Sequence, residues 1–287
     1  MKKNFLEAVQ LGKNDRWRYL LSIVAILYYY LHVAGLIALS LTATLTQVFG
    51  QTRLGSFVAL MCIFPPVIGI LFWAVTKLHN RPFQTLVNAD ASVNMRRLLW
   101  GFAAWLLQLT VIFGADIWLA PQHYSFSFHP AQWFTLLPLA MIFIPMQTSA
   151  EELLFRGYLM QGLGLIIKHR LALILTISLV FAVPHFANPE MQRGFTWGAL
   201  TYLLWGIFFA TITLKDNGLE LALGCHAANN LFSTLVLNTP DSTIPTTAIW
   251  TYIEPIDSRV GFISLLIQTA VFYCLFFGGI PRRCQKG

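Results

Sequence analysis

Glu151 and Glu152 stand side by side in an apolar stretch running from about Trp133 to Ile167, and Arg156 follows them at helical spacing. An ionisable side chain at membrane depth costs at least ~2.5–3.5 kcal/mol to insert and is by default a functional-site hypothesis. Glu152 and Arg156 are i and i+4, stacked on one helix face where they can pair. Glu151 is turned by about 100° from Glu152, so the same guanidinium is poorly placed to neutralise it. The expected arrangement is a structural ion pair, Glu152 with Arg156, beside a second carboxylate free to act as a base. The competing arrangement is a packing network of all three between helices.

Two further clusters could join them. His185 follows Phe181 by four residues, and Pro184 directly precedes it. The proline removes a backbone N–H, so the helix should kink there and free a carbonyl. Such backbone is tolerated at membrane depth only when buried in protein or lining a wet cavity. Downstream, His226 and Asn230 are i and i+4 on one face, with Asn229 slightly to one side. An imidazole and a carboxamide together can aim two donors at one oxygen, which is what a developing oxyanion needs. The structural alternative is interhelical polar pairing among small residues, which Gly224, Ala227 and Ala228 suit. Cys225 beside His226 diverges from it by about 100°, which argues against a thiol–imidazole dyad.

The elements that must hold these residues are membrane helices. The chain is 56% hydrophobic and only 11% charged, with a mean hydropathy of +0.63, whereas soluble domains carry about 25% charged residues. The fold class expected is an all-α, polytopic membrane helical bundle. Apolar runs of spanning length fall at about 20–48, 54–76, 98–120, 132–154, 171–187, 195–214, 219–237 and 260–280. That gives about eight transmembrane helices, or seven if one of the short fifth and seventh runs does not cross. The first run is far longer than a signal-peptide core, and no cleavage pattern follows it. Three regions are expected: 1–132 as scaffold helices with an amphipathic interfacial segment near 77–97, 133–237 as the core, and 238–287 as an external loop without a core plus a last helix.

The net charge of +7 is an orientation signal rather than a nucleic-acid signal. Lys2, Lys3, Lys13, Arg16, Arg18, Lys77, Arg81, Arg96, Arg97, Lys168, Arg170, Lys215, Arg282, Arg283 and Lys286 fall in one set of loops, while the alternate loops carry Arg53, Arg193 and Arg259. The positive-inside rule puts both termini in the cytoplasm. Cys62, Cys225, Cys274 and Cys284 have no paired spacing, which suggests neither disulfides nor a thiolate metal site. The terminal Cys-Gln-Lys-Gly lacks aliphatic residues, so prenylation of Cys284 is not expected. On these spans Glu151 lies near the cytoplasmic end of its helix and His226 about 10 Å inside its own. His185 is the awkward member, at about 20 Å from Leu171.

In combination these motifs resemble the CAAX prenyl protease and bacteriocin-processing (Abi) family. Its pattern is Glu-Glu-x-x-x-Arg, then Phe-x-x-x-His, then His-x-x-x-Asn or Asp, each on a separate membrane helix. Here Glu151-Glu152-Leu-Leu-Phe-Arg156, Phe181-Ala-Val-Pro-His185 and His226-Ala-Ala-Asn-Asn230 match in order. The resemblance covers roughly Ala150 to Ser233, and the Arg81-Pro82-Phe83 stretch also looks like bacterial members. It implies an intramembrane glutamate-type endopeptidase in a bacterial inner membrane, cleaving a membrane-associated peptide or lipidated protein. Glu151, helped by His185, would activate a water; His226 and Asn230 would stabilise the oxyanion; Glu152 and Arg156 would support the site. Pro184 before the motif histidine departs from the pattern, and Asn229 beside Asn230 leaves either amide as the donor. No cofactor is expected, although Glu151, His185 and His226 could supply a His2Glu zinc set. Against zinc, no helix carries two histidines at i and i+4 around a glutamate. The alternative functions are a non-catalytic membrane immunity or binding protein of the same family and, more weakly, a proton-coupled transporter, which the absence of inverted repeats disfavours.

Overall fold

Inside a bilayer every backbone polar group must find its partner within the chain, and helices do this segment by segment. The computed structural model describes residues 4–50, 52–244, 246–253 and 257–278; Cys284 and the basic residues at either terminus lie outside them. Among the described residues six helices are long and apolar enough to cross a membrane: α1 (Arg16–Phe49), α2 (Thr52–Leu78), α3 (Met95–Leu119), α4 (Pro130–Leu163), α6 (Phe195–Asp216) and α8 (Ser258–Phe277). Two shorter ones complete the bundle. α5 (Arg170–His185) is apolar, and α7 (Glu220–Leu235) is almost wholly enclosed by the others. Where the sequence suggests eight spans, six helices have spanning length and composition, and the fifth and seventh runs form helices of 16 residues each. The protein is an all-α integral membrane bundle.

Close backbone contact sets the position of α7. A side chain at Gly224 would run into the Leu98 carbonyl of α3, and one at Gly101 would meet the Leu221 carbonyl at 2.6 Å. The two glycines let α3 and α7 cross almost backbone to backbone, where small residues make membrane helices adhere. A similar contact, Gly206 against Ser178, joins α6 to α5. Trp105, Phe208, Phe209 and Phe272 fill the core between α3, α6, α7 and α8. A larger cluster runs from Phe57 and Leu71 of α2 through Ile144 and Tyr158 of α4 to Phe181 of α5.

α4 departs most from its sequence reading. It continues past the apolar run to Leu163, with Pro138 and Pro145 inside it and a π-helical turn over Leu153–Leu159. Such one-residue insertions widen a helix and concentrate at functional sites. Glu151 thus lies twelve residues from the basic end of α4, about 18 Å, not near that end. His185, the last residue of α5, is only slightly further from the same end of the bundle. Its awkward depth came from cutting α4 too short.

Two connecting segments are more ordered than the sequence suggests. Segment 77–97 forms no surface helix of its own. Its only helix is the short turn Phe83–Leu86, with Thr85 and Leu86 buried. Gln161 of α4 holds it, donating to the Thr85 carbonyl at 2.9 Å and accepting from Arg81 Nη1 at 2.7 Å. At the opposite end, residues 238–244 and 246–253 are tied into the fold, where a coreless loop was expected. Three short strands, β1 (Tyr124–Phe126), β2 (Leu237–Asn238) and β3 (Trp250–Tyr252), form a sheet in the order β1-β3-β2. β1 runs antiparallel to β3 with Ser125 opposite Thr251, and β2 runs parallel to β3. An Arg193–Asp241 ion pair and a 2.6 Å bond from the Thr243 hydroxyl to Glu190 strap this segment to the α5–α6 connection.

Candidate active site

The Glu152 carboxylate is enclosed by protein, and one of its two oxygens takes both of its partners. Its Oε1 accepts from Arg156 Nη1 at 3.0 Å and from His226 Nδ1 at 2.9 Å, and neither the Glu152 nor the Arg156 side chain is exposed at all. The guanidinium lies 4.2 Å from the centre of the Phe181 ring and 5.2 Å from that of Phe209, and also reaches the Gly206 carbonyl at 3.5 Å. A charge placed over aromatic faces in low dielectric recovers part of its lost hydration.

Glu151, one residue earlier, points elsewhere. Its Oε1 accepts from Gln147 Nε2 at 2.7 Å, its Oε2 lies 3.6 Å from His226 Nε2, and its side chain is 15% exposed. The carboxylate opens on a cavity of about 2250 Å³ that His185, Tyr202, His226 and Asn230 also line. One imidazole therefore sits between the two acids, with its ring stacked on Phe209 at 4.9 Å. Because a carboxylate only accepts, His226 Nδ1–H donates to Glu152, and Nε2 is the nitrogen turned to Glu151.

Asn230 Nδ2 donates to Gln147 Oε1 at 3.0 Å, which ties α7 to α4. Asn229 donates to Asn230 Oδ1 at 3.1 Å and accepts from the Trp105 indole at 3.4 Å. Glu151, Glu152, Arg156, His226 and Asn230 thus form one connected network. His185 bonds outside it: Nδ1–H donates to the Phe181 carbonyl at 2.8 Å, in the turn that Pro184 disrupts, and the ring stacks on Tyr202 at 4.4 Å. The Tyr202 hydroxyl in turn bonds Glu190 and accepts from Asn188. His185 shares the cavity wall with Glu151, but the imidazole directly against Glu151 is that of His226. Cys225 faces away from His226, its thiol against the Gly101 carbonyl.

Among the described residues no three His, Cys, Asp or Glu side chains are grouped to hold a metal ion. In particular, Glu151, His185 and His226 do not converge as a ligand set. Sequence reasoning missed Gln147, Trp105 and Tyr202. Gln147 was within reach, being a buried amide one helical turn before Glu151. Trp105 and Tyr202 belong to other helices, and only the packing of the bundle brings them in.

Residues 130–232 match the model of the Rce1-like family, described as type II CAAX prenyl endopeptidase Rce1-like. Over 250 residues, 83% of each chain, the protein is 32% identical to uncharacterized protein YyaK of Bacillus subtilis (strain 168). The chain belongs to the Rce1-like family. No solved structure gives a significant match. The matched stretch of this Rce1-like chain runs from the start of α4 into α7, so it contains every motif residue named above. Trp105 and the first three helices lie outside it.

Proposed function

We propose that this Rce1-like protein is an intramembrane endopeptidase in which Glu151 activates a water for attack on a peptide carbonyl of a membrane-associated substrate. The observation that carries the reading is the division of labour between two adjacent acids: Glu152 is locked in a buried pair, while Glu151 opens on the cavity. A general base must be able to reach water, and of the two acids it is Glu151 that opens on the cavity. In the proposed step Glu151 takes one proton as the water oxygen adds to the carbonyl carbon. The oxyanion that forms is met by the Asn230 amide and by His185 or a protonated His226. The proton held by Glu151 then passes to the leaving nitrogen as the C–N bond breaks.

Glu151→Gln is the discriminating variant, because it keeps volume and hydrogen bonding but cannot accept the proton. Membrane-protein fragments are compared between cells carrying the native chain and the variant, and a farnesylated peptide is tested on both purified forms. Loss of cleavage by at least 10³-fold with an unchanged melting temperature is expected. Retained function in Glu151→Gln would favour a non-catalytic immunity or binding role. Loss of one oxyanion donor costs about 10²–10³ in kcat, so Asn230→Ala should fall in that range.

A further inference from the structure

Gln147 has no part in the reaction as written, yet its amide is bonded to Glu151 on one side and to Asn230 on the other. The bonds continue without a break: Trp105 Nε1 donates to Asn229 Oδ1, Asn229 Nδ2 to Asn230 Oδ1, Asn230 Nδ2 to Gln147 Oε1, and Gln147 Nε2 to Glu151 Oε1. An indole N–H can only donate and a carboxylate can only accept. The two ends of the chain therefore dictate the orientation of all three amides between them. Turning any one amide over would set donor against donor or acceptor against acceptor, at a site where Gln147 and Trp105 are buried and an unmade bond is costly.

We propose that Trp105, Asn229, Asn230 and Gln147 form a one-way hydrogen-bond relay, with Gln147 as the positioning residue for the water-activating step. The relay pins Oε1 of Glu151 and leaves Oε2, on the His226 side, to meet water. It also fixes Asn230 with its NH2 group toward α4. One of those hydrogens is spent on Gln147, and the other remains for the substrate oxygen. Linked donors polarise one another in low dielectric, so the indole of α3 acts on a carboxylate of α4 through three amides. The inference rests on the proteolytic reading of the same site.

The test uses the full-length protein in detergent, a farnesylated peptide as probe, and Gln147→Met, Trp105→Phe and Glu151→Ala as variants. Gln147→Met should lower kcat at least tenfold with KM within twofold of native, and Trp105→Phe should lower kcat several-fold in the same pattern. Side-chain amide NMR of glutamine-labelled protein gives a readout independent of activity. The signal lost in Gln147→Met identifies Gln147, and it should move in both Glu151→Ala and Trp105→Phe. Native kcat in Gln147→Met, or a Gln147 signal that ignores Trp105→Phe, overturns the relay. If the native protein leaves the peptide uncut while the signal moves, the relay stands and the proteolytic reading fails for that substrate.

Discussion

Arg156→Ala should destabilise the bundle far more than Glu151→Ala, and the structure sets the scale of each. The Arg156 guanidinium is inaccessible to solvent, bonded to Glu152 at 3.0 Å and packed over Phe181. Removing one partner of a buried pair leaves an uncompensated charge and costs about 3–5 kcal/mol. At roughly 2–4 °C per kcal/mol for a domain of this size, the melting temperature should fall on the order of 10 °C. Glu151 is partly exposed, and the bond from Gln147 is worth about 1–3 kcal/mol. Its removal should shift melting by a few degrees. The assay is thermal unfolding of detergent-solubilised protein, with the double variant Glu152→Gln/Arg156→Met as control. Replacing both charges removes the burial penalty together with the attraction, so the double variant should recover much of the loss. Equal melting of Arg156→Ala and native protein would refute the pairing as a source of stability. A double variant as unstable as the sum of its single changes would refute the desolvation argument.

The basic end of the bundle is expected to face the cytoplasm. A cysteine at Ser242 should label from outside intact cells and one at Lys2 should not; the reverse result inverts the topology. Buried His79 donates from Nδ1 to the Lys13 carbonyl and accepts at Nε2 from Tyr158, and burial holds its pKa below the usual histidine value. The folded state then binds the proton less well than the unfolded chain. Its contribution to stability is complete above about pH 6.5 and is lost as pH falls from there toward the lower folded value. Melting should therefore drop between pH 7 and 5, and less so in His79→Gln; identical pH profiles would exclude His79 as the cause. Purified, active protein is expected to hold no stoichiometric metal. Near-stoichiometric zinc, with activity lost on chelation and restored by zinc, would recast Glu151 and His226 as ligands.

The order of the helices and the separation of Glu151 from the Glu152–Arg156 pair were legible because helical periodicity alone decides them. The end of α4 was not. Arg156, Gly157 and Gln161 lower the hydropathy of its last turns, yet these residues are enclosed by protein rather than lipid, so the helix continues. The same enclosure hides the length of α7, whose polar motif makes it a weak span by composition. Segment 77–97 carries an amphipathic pattern, and its Leu86 packs against Gly157 of α4. The pairing of His226 with both acids was out of reach, because it depends on where α7 lies against α4, and α7 is also held against α3 by the close contacts of Gly101 with Leu221 and of Gly224 with Leu98.

One imidazole between two carboxylates has a consequence for hydrolysis inside a bilayer. A base that took a proton from water and released it to solvent would change the net charge of a buried site at each turnover, and charge is what the low-dielectric interior resists most. Here Glu152 and Arg156 already cancel each other, so Glu151 and His226 hold the remaining balance. In the proposed step a proton taken by Glu151 as the hydroxide adds to the carbonyl would stay within the site, and so would the negative charge, which would move from the carboxylate to the substrate oxygen. When that proton leaves on the new amine, the tetrahedral adduct collapses in the same event. In that proposed sequence the total charge is constant, and only its position shifts between Glu151 and the donors on α7. The proposed step thus requires short, fixed distances between α4 and α7, and the Gln147–Asn230 bond joins those two helices directly.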